Sequence, residues 1–125
     1  MKSWIFRDFI SERGVNEIRE WIDSLPMKAQ IKIDRRISYL QATRTFDPQY
    51  ISARDGCDDI YELRVVCAGV QYRPLGCYGP ERGEFTLLVG AVEKGSRLEP
   101  KDAPEIATHR RKIVMADKRR TREHE

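Results

Sequence analysis

Histidine and cysteine are scarce in this chain of 125 residues, two and three respectively. His109 and His124 stand apart, and neither lies at a metal-ligand spacing from Cys57, Cys67 or Cys77. Three unclustered thiols read as free cysteines of a reducing cytoplasm, not as a disulfide framework or a metal set. No apolar run approaches the ~20 residues of a membrane span, so no membrane contact is expected. Trp4-Ile5-Phe6 soon meets Arg7 and Asp8, so no secretory leader is expected either. Ser-His-Asp and Cys-His arrangements are missing. Gly76-Cys77-Tyr78-Gly79 reads as a turn, because it lacks the Lys-Ser/Thr ending and the following helix of a phosphate loop. Neither a metal nor a cofactor is expected.

What the chain does have is charge. Charged residues make up 34% and hydrophobic ones 40%, with a net charge of +3. The length suits one domain with a modest core. A net charge this small does not argue for nucleic acid, but its distribution does. Residues 104–122 hold seven Lys or Arg against Glu105 and Asp117. Such a segment suits electrostatic capture of nucleic acid, or else is a solvated, frayed end.

Periodicity orders the rest. Trp4 to Ile10 reads as a first strand closed by Gly14. Val15, Ile18, Trp21, Ile22 and Leu25 recur at helical spacing. Pro26 stops that helix and opens a second one from Met27 to Ala42, with Ile33, Ile37 and Leu40 on one face. Residues 43–58 read as loop. The period then changes to two in 60–66 and 70–78, and the hairpin loop 79–83 leads to the most apolar strand, 84–92. Pro74 marks an edge, a bulge or an early strand end. Asp102, Pro104 and Glu105 announce a helix over about 103–117. The order is strand, helix pair, three-stranded antiparallel meander, helix: an α+β fold with two helices laid on one face.

Two meander strands each carry an arginine, Arg64 and Arg73, and the third delivers Lys94 at its end. An Arg fork recognises phosphate bidentately and a Lys adds a point charge. The alternative is an ordinary surface network in which Glu62, Asp59 and Glu93 neutralise them. Tyr61 and Tyr72 share the apolar phase of their strands and read as core. Tyr78, near the hairpin tip, is freer to stack on a base. His109 is a helix-surface residue, or a general base if its helix turns it toward the sheet.

Ile60-Tyr61-Glu62-Leu63-Arg64, then Tyr72-Arg73, an apolar strand to Lys94, Pro100 and a helix beginning Pro104-Glu105-Ile106-Ala107: this pattern resembles the RelE/ParE toxin superfamily, in particular its phage-derived HigB-like branch. The resemblance covers roughly residues 3–115. It implies a RelE-like domain over 1–117; the basic run that follows, 118–125, reads as a flexible tail. The implied activity is that of a ribosome-dependent mRNA endonuclease, the toxin of a type II toxin–antitoxin pair. No metal takes part: the 2′-hydroxyl attacks the neighbouring phosphate and leaves a 2′,3′-cyclic phosphate and a 5′-hydroxyl. Arg73 and Arg64 would hold the phosphate, and Lys94 would support the charge or exchange a proton. Glu62 would pair with an arginine. Further RNA contacts are expected from Arg97, Lys101, Arg110, Arg111 and Tyr78. The implied partners are mRNA on the ribosome and a cognate antitoxin, a helix-turn-helix protein.

The chain also departs from that pattern. Val92 replaces the usual Phe, and Glu93-Lys94 replaces a Lys pair, so an acid beside Lys94 would weaken a phosphate site. Many nuclease members carry a Tyr or His base near the C-terminus, and His109 is the nearest counterpart here. A ParE-like inhibitor of gyrase and an inactive prophage-derived nucleic-acid-binding module are the alternatives.

Overall fold

The computed structural model describes residues 2–125. The chain runs through β1 (Ile5–Phe9), α1 (Glu17–Asp23), α2 (Met27–Gln41), β2 (Ile51–Ala53), β3 (Tyr61–Leu63), β4 (Val65–Cys67), β5 (Val70–Tyr72), β6 (Leu75–Tyr78), β7 (Glu84–Val89), β8 (Val92–Lys94), β9 (Arg97–Glu99) and α3 (Ala103–Ala116). A short 3-10 turn over Lys118–Arg120 then leads to β10 (Thr121–Glu123). The α+β class holds.

The expected meander is present but divided. Its three long strands each break once, so that it contributes to two sheets. One has the order β10-β1-β7-β6-β3-β2 and the other β4-β5-β8-β9. The breaks fall at Arg64, at Arg73-Pro74 and at Gly90-Ala91. Pro74 has no N–H to donate, which explains the second break. Gly90 explains the third: a Cβ there would lie 2.1 Å from Trp21 Cδ2, so the indole occupies the space any larger residue needs. The loop expected over 43–58 contains one short strand, β2, paired with β3.

Asn16 caps α1, accepting from the Arg19 N–H at 2.9 Å. Pro26 opens α2 as the sequence suggests. Asp102 precedes α3, but its side chain makes no cap bond, so the expected capping box does not form.

Partners in an antiparallel ladder point to the same face. One face of the meander carries Leu63, Val65 and Tyr72, which pack with Ile18, Ile22, Ile33, Ile37 and Leu40 of α1 and α2. The other carries Ile60, Leu75, Cys77 and Ala91, which pack with Ala107 and Val114 of α3. Strand β7, covered on both sides, is buried at all six positions, Glu84 and Thr86 included.

The tail does not fray as expected. β10 pairs antiparallel with β1 and extends the six-stranded sheet. Thr121 accepts from Arg7 Nε at 2.7 Å, and the His124 N–H donates to the Phe6 carbonyl at 2.8 Å. These bonds, with a buried His124 side chain, fasten residues 121–124 to the body.

Candidate phosphate-binding face

Helix α3 covers the meander's second face over β6 and β7. Toward the breaks the same face carries arginines. Glu62 pairs with Leu75 and Val65 pairs with Tyr72, in one continuous register. Carried through the break, that register sets Arg64 directly opposite Arg73. Leu63 N donating to the Pro74 carbonyl at 2.9 Å holds it there. The two arginines expected on one face are therefore cross-strand neighbours. Two like charges in that position repel unless something negative lies over them.

Their surroundings differ. Arg64 is exposed and is clamped by Glu62: its Nε and Nη2 donate to Oε1 at 3.0 and 2.9 Å. Glu62 itself is only 3% exposed, and its other oxygen takes Arg54 Nη1 at 3.2 Å. One buried carboxylate thus separates two guanidiniums. This is the neutralising network foreseen for Arg64, with Arg54 as a member that the sequence reading missed.

Arg73 is 6% exposed, and among the described residues no carboxylate lies within ion-pair distance of it. Its Nη1 donates to the Tyr72 carbonyl at 3.1 Å, its Nη2 to the Gln71 amide oxygen, and its Nε has no partner. A buried cation without a counter-ion costs several kcal/mol. The Gln71 side chain that it meets is exposed.

Arg97 and Lys101 join Arg54 around a cleft of about 300 Å³, completed by Ser96, Leu98 and Pro104. Lys94 stands apart. It pairs with Arg97 and alternates with Glu93, so Lys94 and Arg97 both point to the face of Tyr72 and Val92, away from Arg64 and Arg73.

The remaining expected residues lie elsewhere. Arg110 is a structural clamp: it donates to the Leu88 carbonyl at 2.8 Å and to Glu17 at 3.1 Å, over the Phe9 ring. Arg111 leans on Asp59 at 3.6 Å. His109 is exposed on α3 and opens on a separate shallow cavity with Cys57, Thr108 and Lys112, so the helix does not turn it toward the arginines. Tyr78 is 38% exposed, but its ring stacks on Phe46 at 5.9 Å and meets Tyr61 edge-on at 4.9 Å. Burial and the nearby Tyr61 push its phenol up.

The cysteines are free, and burial pushes the Cys77 thiol up to about 12, far from a reactive thiolate. Among the described residues no cluster of three or more His, Cys, Asp or Glu is arranged to hold a metal, and no helix is long and apolar enough to cross a membrane.

A second polar cluster lies behind α1 and α2. His124 Nδ1 meets Asp8 Oδ1 at 2.8 Å and Nε2 meets Asp34 Oδ1 at 3.0 Å. Burial pulls this imidazole down, but the hydrogen bonds and charges of the two carboxylates outweigh it and raise its pKa. Asn16 and Arg19 complete the cluster on Asp8 and Asp34. The sequence signal for it was Asp8 itself, an acid between Phe6 and Phe9 in a buried strand.

The profile of the family described as Phage derived protein Gp49-like (DUF891) matches residues 20–120. That span holds every arginine and lysine of the candidate face. No curated protein and no solved structure matches the chain. The chain belongs to the phage-derived Gp49-like family, a RelE-type, toxin-like family.

Proposed function

We propose that the protein is the toxin of a type II toxin–antitoxin pair, of the HigB-like branch, and cleaves mRNA on the ribosome. The observation that carries this reading is Arg73: a guanidinium buried without a carboxylate, in register with the exposed Arg64. An RNA phosphate supplies the missing negative charge. Its oxygen replaces the Gln71 amide on Arg73, while Arg64 approaches from the exposed side. Arg54 and Lys101, which line the neighbouring cleft, continue the positive surface. Arginine forks suit both the ground-state phosphate and the extra charge of the phosphorane.

The reaction is attack by the 2′-oxygen on the adjacent phosphorus with loss of the 5′-oxygen. It needs positive charge at the phosphorane and groups that move protons. The antitoxin is the second partner, a protein that covers the basic face with acidic or apolar segments.

Growth after induced expression, with mRNA 5′ ends mapped in the same cells, tests the reading. Arrest with new ends inside translated messages is expected, and Arg73→Ala is expected to relieve both. Removing one such charge costs about 10²–10³-fold in rate. Arrest with intact messages would refute the nuclease reading and favour a target such as gyrase.

A further inference from the structure

The reaction needs a base for the 2′-hydroxyl, and among the described residues neither a Tyr nor a His shares the face of Arg64 and Arg73 in the register. From the pairing of the small sheet we infer that Glu93 is that base, an inference that rests on the nuclease reading.

The rows of the face that carries Arg64 and Arg73 can be read from the register. Arg64, Arg73 and Ala91 form one row, since the Arg73 N–H donates to the Ala91 carbonyl at 2.8 Å. Val66 pairs with Gln71, Gln71 with Glu93, and Glu93 with Leu98, forming the next row. Glu93 is therefore the diagonal neighbour of Arg73 on the same face, a relation that spans about 7–8 Å. It is half-buried and makes no ion pair among the described residues. A carboxylate and a guanidinium at that spacing leave room for a phosphate on the arginine and a ribose oxygen at the acid.

The other carboxylates nearby are engaged. Both oxygens of Glu62 hold arginines, Arg64 and Arg54. Asp59 leans on Arg111. Glu99 pairs with Val92 and so points to the opposite face. His109 opens on another cavity.

The step balances without any co-reactant beyond water. Glu93 takes the proton of the 2′-hydroxyl, and the 2′-oxygen forms the new bond to phosphorus. The phosphorus–5′-oxygen bond breaks, and the leaving oxygen takes a proton from water. Glu93 then returns its proton to solvent. The acid that would weaken a purely electrostatic phosphate site thus has a role in the chemistry.

Translating ribosomes carrying a defined message provide the assay. Cutting is followed against pH for the wild type, Glu93→Gln, Glu93→Asp and the opposite-face control Glu99→Gln. Affinity is measured on the same message with a 2′-deoxy nucleotide at the cut site. Glu93→Gln is expected to cut about 10²–10⁴-fold more slowly, to bind at least as tightly, to melt like the wild type, and to lose the acid limb of the rate profile. Glu93→Asp keeps that limb at a reduced rate, and Glu99→Gln behaves as wild type. Cutting by Glu93→Gln at the wild-type rate overturns the assignment while leaving the nuclease reading intact. Loss of binding together with cutting also overturns it, by making Glu93 a structural residue. A wild-type protein that leaves every message intact removes the nuclease reading and the assignment with it.

Discussion

Arginine behaves in three ways in this small protein, according to what lies within reach of its fork. Arg110 spends its donors on Leu88 and Glu17 and holds α3 to the sheet and to α1. Arg54 and Arg64 share Glu62, so their charges are fixed in place and half-compensated. Arg73 has neither a carboxylate nor a partner for its Nε, and only this third arrangement asks for an external anion. Glu62→Gln separates these roles. It leaves two guanidiniums facing each other across a neutral amide and is expected to lower unfolding stability by about 1–3 kcal/mol in urea titrations, the cost of unpairing a buried hydrogen-bonded group. The solvent that reaches both arginines keeps the loss below that of a fully buried pair. Arg73→Lys keeps the charge but not the planar fork, and cutting is expected to fall about tenfold or more while the melting temperature changes little.

At the scale of elements, β10 is the part that sequence reasoning placed least well. Lys118-Arg119-Arg120-Thr121-Arg122 looks like a solvated run because its charges are visible and its partners are not. Those partners lie more than a hundred residues away on β1, and backbone pairing across that distance leaves no local pattern. The clasp of Asp8, His124 and Asp34 adds a pH signature. Each ring nitrogen faces a carboxylate, so the imidazolium is the form the site favours. Its folded pKa is raised above the unfolded value of about 6.5, so the stabilisation is fully present below about pH 6.5 and is lost as pH rises through the folded value. The melting-temperature gap between the wild type and His124→Gln is therefore expected to be widest near pH 6 and to narrow in alkali. A gap that widens with pH would mean a neutral imidazole. Gly90 lay inside the strand expected over 84–92, and the break there has its reason in the indole packed over it. Gly90→Ala is expected to cost about 1–3 kcal/mol through overpacking against Trp21.

At the scale of the whole molecule, the alternation in 60–66 and 70–78 was enough to bring Arg64 and Arg73 to one face. Period two fixes side-chain direction even where strands later divide between sheets. It also separates Glu93 from Lys94, and that parity sends the lysine away from the arginines and the acid toward them. The contribution of Arg54 could not be seen in this way, because residues 43–58 read as loop and β2 is only three residues long. Burial of Arg73 was equally hidden, since it depends on the packing of the face around it. The basic surface as a whole is expected to bind RNA with a strong salt dependence, and the slope of log affinity against log salt should shrink by about one for each of Arg54 and Lys101 removed.

The nuclease reading turns most directly on the chemistry of the ends. Message cut by the purified protein on translating ribosomes should carry a 5′-hydroxyl on one fragment and a 2′,3′-cyclic phosphate on the other. Both should vanish with Arg73→Ala in a protein that still folds. Fragments bearing 5′-phosphates, or cutting that survives Arg73→Ala undiminished, would contradict the assignment of the Arg64–Arg73 face as the place where RNA is cleaved.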